Sequence, residues 1–191
     1  RTSPESLPPG SDVCNLSLLG YDPEKCYTGR APLEAASRGL TLQPDEAVFR
    51  ANTVILTDGI MRDYAGGHIT TAEAKPLIEY LDQRLGLPGV RLHPGVSYRH
   101  LCIVGGLAQS IPERTPPHDL TGRPIAGHEP QGAGAIKIEE IEARIRELLP
   151  EAPVNAERQA AGKVPINALW LWGGGTMPRL ESFAKRHSVN G

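Results

Sequence analysis

A serine stands at the tip of a Gly/Pro-opened turn, Pro9-Gly10-Ser11-Asp12, which runs into the apolar stretch Val13-Cys14-Asn15-Leu16-Ser17-Leu18-Leu19. A sharp turn at the head of a helix exposes the hydroxyl and aims unpaired backbone N–H groups at the same point, which suits an anion. Gly29-Arg30 follows, and an arginine adds a permanently charged planar fork that matches phosphate. A hydroxyl nucleophile beside anion-holding groups reads as phosphoryl transfer through a serine. The same residues also make a plain surface turn, capped at Ser11 or Asp12, beside a solvated Arg30, and short motifs of this kind recur without function.

Phosphoryl transfer also needs anion-holding arginine forks, neutral donors and a proton carrier. Arg50 and Asn52 occupy alternate positions of a β-type stretch and so share a face; the alternative is an exposed polar strand face. Asp63 and His68 flank Gly66-Gly67, where the backbone can come close to a ligand; the alternative is a loop histidine ahead of a helix cap. In Tyr98-Arg99-His100, alternation sets Arg99 and His100 on opposite faces of an apolar strand. An arginine in such a run needs a partner, which makes this segment a candidate for holding a carboxylate or phosphate. Thr115-Pro116-Pro117-His118-Asp119 is a stiff loop able to present His118 and Asp119, or else a proline-stabilised Asx turn. Arg158, on a helix face after Pro153-Val154-Asn155, can join an anion site. A zinc site fails on spacing: His68, His93 and His100 do not fit the usual ligand intervals, and Cys14 and Cys26 lie too far apart for a knuckle. Trp170 and Trp172 alternate on a strand and are expected to pack against a neighbouring domain rather than stack bases.

These residues need a scaffold. Pro32 to Arg38 reads as a short helix stopped at Gly39, and Gln43-Pro44-Asp45 as a hinge. Ala47 to Thr57 is a strand ending at the turn Asp58-Gly59, with Ile60 to Ala65 as its hairpin partner. Thr70-Thr71-Ala72-Glu73 spells a capping box. Leu77, Ile78, Leu81 and Leu85 then form one apolar stripe that ends near Gly86, with Pro76 as a possible kink. Val90 to Leu92 and Val96 to Val104 read as strands, and residues 105–134 as a long irregular stretch of the kind usually tied to function or disorder. Ile138, Ile141, Ile145 and Leu148 mark an amphipathic helix supported by Glu140–Arg144 and Glu142–Arg146 pairs. A helix over Asn155 to Ala161, a strand over Ala168 to Trp172 and a flexible exit at Gly173-Gly174-Gly175 complete the order. The fold class expected is α/β, a mixed β-sheet with packed helices.

Composition narrows the partners. The chain has 191 residues and a formal net charge of -2, without the basic excess of a nucleic-acid binder. No apolar stretch approaches the ~20 residues that span a bilayer, so neither nucleic acid nor membrane is expected as a partner. Three cysteines without a CxxC pair fit reduced thiols and a cytoplasmic setting. Arg1 and Gly191 do not read as natural domain ends, and a cut-out fragment is expected.

The Ser11 segment through Tyr27-Thr28-Gly29-Arg30-Ala31-Pro32 resembles the archaeal-type, cofactor-independent (2,3-bisphosphoglycerate-independent) phosphoglycerate mutases of the alkaline phosphatase superfamily. So do Phe49-Arg50-Ala51-Asn52, the 115–124 loop and Pro153-Val154-Asn155 to Arg158. The resemblance covers nearly the whole chain but only the middle of the family's length. It implies that residues 1–44 are a partial phosphatase-like catalytic segment with the nucleophile turn. Residues 45–172 would be an inserted, substrate-binding cap domain, and residues 173–191 a partial return to the catalytic domain. Ser11 would carry the phosphoryl group and touch a divalent metal, with Arg30 supporting the phosphate. Arg50, Asn52, Asp63, His68, Arg99, His100, His118, Asp119 and Arg158 would fall on substrate-contacting segments. In the implied isomerase cycle, Ser11 takes phosphate from 3-phosphoglycerate, the glycerate reorients under the cap, and phosphate returns to the 2-hydroxyl. The full-length enzyme would use manganese or magnesium, with zinc as a further option, to activate the serine. Its other ligands lie outside this chain, so no catalytic metal pair and no turnover are expected of the 191 residues alone. The other readings are a mutase-like homoserine kinase or phosphotransferase, and a non-catalytic module that binds a phosphorylated ligand; oligomeric state is left open. Residues 1–8 are expected to be mobile, and Arg1 to about Leu40 less ordered than the cap.

Overall fold

β1 (Ala47–Thr57) is the spine of the computed structural model, which describes Leu7, residues 10–181 and residues 185–186. Its first half pairs with β4 (Arg99–Val104), its last residues pair with β2 (Ile60–Asp63), and β5 (Ala168–Gly175) runs along Val48 to Val54. β3 (Val90–Val96) lies outside β4, completing a five-stranded sheet in which every pairing is antiparallel. The α/β class with helices packed on a sheet is what the sequence led us to expect.

Period-two alternation along β1 divides the molecule into two faces. Ala47, Phe49 and Ala51 look toward the main core with Cys102, Val104, Leu92, Leu169 and Leu171. That face is covered by α4 (Thr71–Leu85), α5 (Ala135–Leu148) and α6 (Pro153–Ala160), through Leu77, Ile78, Leu81, Ile138, Ile141, Ile145 and Val154. Each such aliphatic side chain contributes roughly 1.5–3 kcal/mol on burial. On the opposite face, Ala31 and Ala35 of α3 (Arg30–Ser37) pack on Val48, Leu101 and Ile103. Farther along, Val54 joins Met61, Leu120, Ala168, Trp170 and Trp172. The row Val48, Arg50, Asn52, Val54 therefore runs apolar, cationic, amide, apolar. Its two polar members sit between two small apolar clusters.

The capping box of α4 is present: Thr70 Oγ1 accepts from the Glu73 N–H at 3.2 Å, and Glu73 Oε2 accepts from the Thr70 N–H at 2.9 Å. Pro76 lies inside α4, which nonetheless runs on to Leu85 and stops at left-handed Gly86.

Several details depart from expectation. β2 ends at Asp63 rather than Ala65, because the Asp63 carboxylate accepts the Ala65 and Gly67 N–H groups and turns the chain. β3 extends to Val96 and β4 begins at Arg99, with the turn falling at Ser97, whose φ is 54°. Gly173-Gly174-Gly175 is no flexible exit but the end of β5. A Cβ at Gly174 would strike the Phe49 ring, and one at Gly175 the Thr28 carbonyl oxygen. Gly29 meets Gly174 with the same intimacy, since a Cβ there would land on the Gly174 carbonyl. The helix pairs also differ: Glu140 binds Lys137, Arg144 binds Glu147, and Glu142 is buried against Arg114.

The leading segment forms α1 (Ser11–Leu18), α2 (Pro23–Cys26) and α3. Val13 and Leu16 are buried there, while Leu18 and Leu19 are exposed. The expected mobile approach, residues 1–8, lies outside the described residues except for Leu7.

Candidate functional site

The polar pair on β1 opens into a cleft of about 290 Å³ lined by Arg30, Arg50, Asn52, Tyr64, Tyr98, Arg99, His118 and Trp172. Strand register assembles it. Arg50 stands opposite Trp172 across β5, and Asn52 stands opposite Arg99 across β4. α3 brings Arg30 over the same strands, and a short 3-10 turn over Pro117–Leu120 brings His118 to the rim.

Trp172 is the floor of this cleft. The Arg50 guanidinium lies 5.2 Å and the Arg30 guanidinium 5.8 Å from its ring centre, within the range where an aromatic face attracts a cation. The His118 ring meets its edge at 5.6 Å. The Trp172 indole N–H donates to Asn52 Oδ1 at 3.0 Å. That bond sets the amide so that Nδ2, the donor end, points toward the Tyr64 carbonyl at 3.4 Å. Tyr64 in turn makes edge contacts with Tyr98 and His118.

Arg50 is 6% exposed. Its Nε lies 3.2 Å from a Glu34 carboxylate oxygen, in ion-pair range, yet has no aligned hydrogen-bond acceptor. Burial pulls its pKa down; Glu34 opposes this, and the neighbouring Arg30 and Arg99 add to it. Like charges gathered in a half-buried cleft raise the benefit of binding an anion.

Ser11 heads α1, and Arg30 Nη2 donates to its Oγ at 2.9 Å. Arg30 thus belongs both to the cleft and to the serine. Asp12, the neighbouring carboxylate, is engaged by the Tyr27 hydroxyl at 2.6 Å. Burial and this bond push the Tyr27 pKa up. Among the described residues no three His, Cys, Asp or Glu side chains converge where a metal ion could be held.

Of the residues singled out in sequence, Arg30, Arg50, Asn52, Arg99 and His118 line the cleft, and Ser11 joins it through Arg30. The others stand apart from its lining. Asp63 turns the chain after β2. His68 holds a left-handed conformation, φ 55°, just before the cap of α4. His100 is fully buried on the helix-covered face, its Nδ1 accepting from the Gly95 N–H at 3.0 Å. Asp119 is exposed, 3.6 Å from the His118 ring. Arg158 is buried. It donates to Glu73 and to the Gly66 carbonyl at 3.1 Å each, tying α6 to the loop that carries Tyr64. Tyr64 and Tyr98 escaped the sequence reading as cleft residues, and Trp172 was read as packing. The available signal was an aromatic directly beside a charged candidate: Tyr64 after Asp63, Tyr98 before Arg99. Trp170 packs not against a neighbouring domain but in the apolar cluster with its own sheet's Val54 and Met61 and with Leu120.

Residues 1–155 match the family described as 2,3-bisphosphoglycerate-independent phosphoglycerate mutase. Over all 191 residues the chain is 44% identical to the protein of that name from Methanosarcina mazei, covering 48% of it. It is 46% identical to the one from Methanothrix thermoacetophila, again covering 48%. The chain therefore spans about half the length of the curated relatives it matches. Among solved structures, a cofactor-independent phosphoglycerate mutase from Thermoplasma acidophilum superposes with a TM-score of 0.67 at 27% identity. The match covers 95% of this chain and 50% of that one.

Proposed function

Because the chain belongs to the 2,3-bisphosphoglycerate-independent phosphoglycerate mutase family, we propose that the full-length protein interconverts 3-phosphoglycerate and 2-phosphoglycerate through a phosphorylated Ser11, in the cytoplasm. The observation that carries this reading is Arg30, whose guanidinium both donates to Ser11 Oγ and lines the cleft with Arg50 and Arg99. One arginine is thereby shared between a nucleophile and an anion site.

In the proposed cycle the Ser11 oxygen forms a bond to phosphorus as the bond from phosphorus to the substrate's 3-oxygen breaks. The serine proton ends on the 3-hydroxyl. Arg30 keeps the phosphoryl group against Ser11, its fork matching the phosphoryl oxygens. The freed glycerate carries a carboxylate and two hydroxyls. Arg50 and Arg99 hold the carboxylate, Asn52 Nδ2 donates to a hydroxyl, and His118 is the titratable group at hand to hold a proton. After reorientation the 2-oxygen forms a bond to phosphorus as the bond from phosphorus to Ser11 breaks, the 2-hydroxyl proton returns to the Ser11 oxygen, and 2-phosphoglycerate leaves. The divalent ions implied by the resemblance need ligands from the rest of the full-length protein.

The proposal extends to layout: 1–44 and 173–191 as parts of one catalytic domain, 45–172 as an inserted cap. Direct contacts support it, since Thr28 Oγ1 donates to the Thr176 carbonyl and the Tyr21 hydroxyl to the Glu181 carbonyl.

The test is an assay of the full-length protein with 3-phosphoglycerate and, separately, with homoserine plus ATP. Conversion of the first alone is expected; phosphorylation of homoserine alone overturns the mutase reading. Ser11→Ala should abolish turnover while leaving 3-phosphoglycerate binding within about threefold, since the cleft arginines stay in place. Retained turnover removes Ser11 from the chemistry.

A further inference from the structure

We infer that the buried ion pair between Arg114 and Glu142 is a positioning device for His118, fixing the cleft end of the long 105–134 loop. Only its kinetic test rests on the mutase reading.

The pair lies far from solvent, with side chains 7% and 4% exposed. Glu142 projects from α5 toward β5, where the oxygen that meets Arg114 also accepts the Leu171 N–H at 2.8 Å. Arg114 lies over the Trp170 ring, its guanidinium carbon 3.3 Å from the ring centre, and its Nε donates to the His128 carbonyl at 3.3 Å. The Trp170 indole N–H donates to the Thr115 carbonyl at 3.0 Å. Thr115 Oγ1 and His128 Nδ1 are 2.9 Å apart, and Glu113 and Gln131 exchange backbone bonds at 3.0 and 2.9 Å. The neck of the loop is thus tied to β5 and α5 at several points.

What the neck presents is His118. Directly after Thr115 come Pro116 and Pro117, which fix φ and leave little slack. The 3-10 turn that follows buries Leu120 beside Trp170 and Trp172 and sets His118 against Trp172 and Tyr64. Plain packing does not require this arrangement. A buried ion pair is commonly no more stabilising than an apolar pair of the same shape, and its best-attested use is to fix one register. Here the register fixed is that of the segment carrying the cleft histidine.

The test uses the full-length protein. Arg114→Met with Glu142→Gln removes both charges together, so neither is left buried alone, and glutamine can still accept the Leu171 N–H. Trp170→Phe is the milder companion: it keeps a smaller ring beneath Arg114 and drops the N–H that holds Thr115. Ring protons of histidine are displaced by nearby aromatic rings, so the His118 Cε1–H signal, identified by its loss in His118→Ala, reports its seat against Trp172 and Tyr64. In both folded variants that signal should shift or broaden. kcat should fall roughly 10- to 100-fold in the double variant, the scale expected when a reacting group is misplaced by about an ångström. In a His118→Ala background the same changes should cost no further activity. A folded variant whose His118 signal is unmoved, or losses that multiply with His118→Ala, overturns the inference. If the parent protein shows no mutase turnover, the mutase reading fails by itself and the ring signal still decides.

Discussion

Trp172 shows how one side chain organises a polar site. Its ring lies against Arg30, Arg50 and His118, and its N–H decides which way Asn52 faces. Trp172→Phe keeps a ring for the cations and removes the N–H. The Asn52 amide is then free to turn its carbonyl toward the substrate, an acceptor where a donor is needed. The expected outcome in the full-length enzyme is a KM for 3-phosphoglycerate raised about tenfold, the effect of losing one oriented hydrogen bond. Steady-state kinetics checks it, and an unchanged KM removes Asn52 from substrate binding. Residue types were legible in the sequence where charge marked them. Arg50 and Asn52 two apart on a strand already implied a shared face. Trp172 was not legible as floor, because its neighbours Arg30 and Asn52 lie 142 and 120 positions away in sequence, and only the packing of α3 and the β1–β5 register bring them together.

The elements carry their own predictions. His100, buried on the helix-covered side of β4, is held neutral by burial, with Arg38 adding to the effect; its pKa drops from the usual 6.5 to about 3. The unfolded chain takes up a proton near 6.5 and the folded chain does not until near 3, so the unfolded state binds more protons between these values. Stability is therefore complete above pH 6.5 and falls as pH drops toward 3, by at most about 1.4 kcal/mol per pH unit from this group. His93, lowered mainly by burial, acts in the same direction. Unfolding midpoints at pH 7.5 and 5 should differ, and His100→Gln should shrink that difference. β5 supplies a second test. Gly174→Ala drives a methyl into the Phe49 ring, and overpacking of this kind costs about 1–3 kcal/mol. Denaturant unfolding should register that loss, and an unchanged midpoint would show that the sheet can yield there. The capping box, the β1–β2 hairpin and the stripe of α4 were legible because their signals are local. The glycine run and Glu142 were misread because their partners, Phe49, Thr28 and Arg114, lie far away in sequence. Helix periodicity alone cannot tell a surface glutamate from one that a distant arginine draws inward.

At the scale of the whole molecule, charge is unevenly placed. The chain as a whole is at -2, yet the cleft gathers Arg30, Arg50 and Arg99. A cationic concavity on a nearly neutral body draws anions by local field, and salt screens that field over about 10 Å at 0.1 M. The KM for 3-phosphoglycerate should rise with added potassium chloride while kcat changes little; a KM indifferent to salt would mean that the arginines act through short contacts alone. The backbone contact of Gly29 with Gly174, and the bond from Thr28 to Thr176, have a different consequence. Everything between them departs from and comes back to a single spot, like a bight of rope seized at its neck. A host that received this stretch as an insertion would meet both its ends within one short gap and would need no long linkers to reach them.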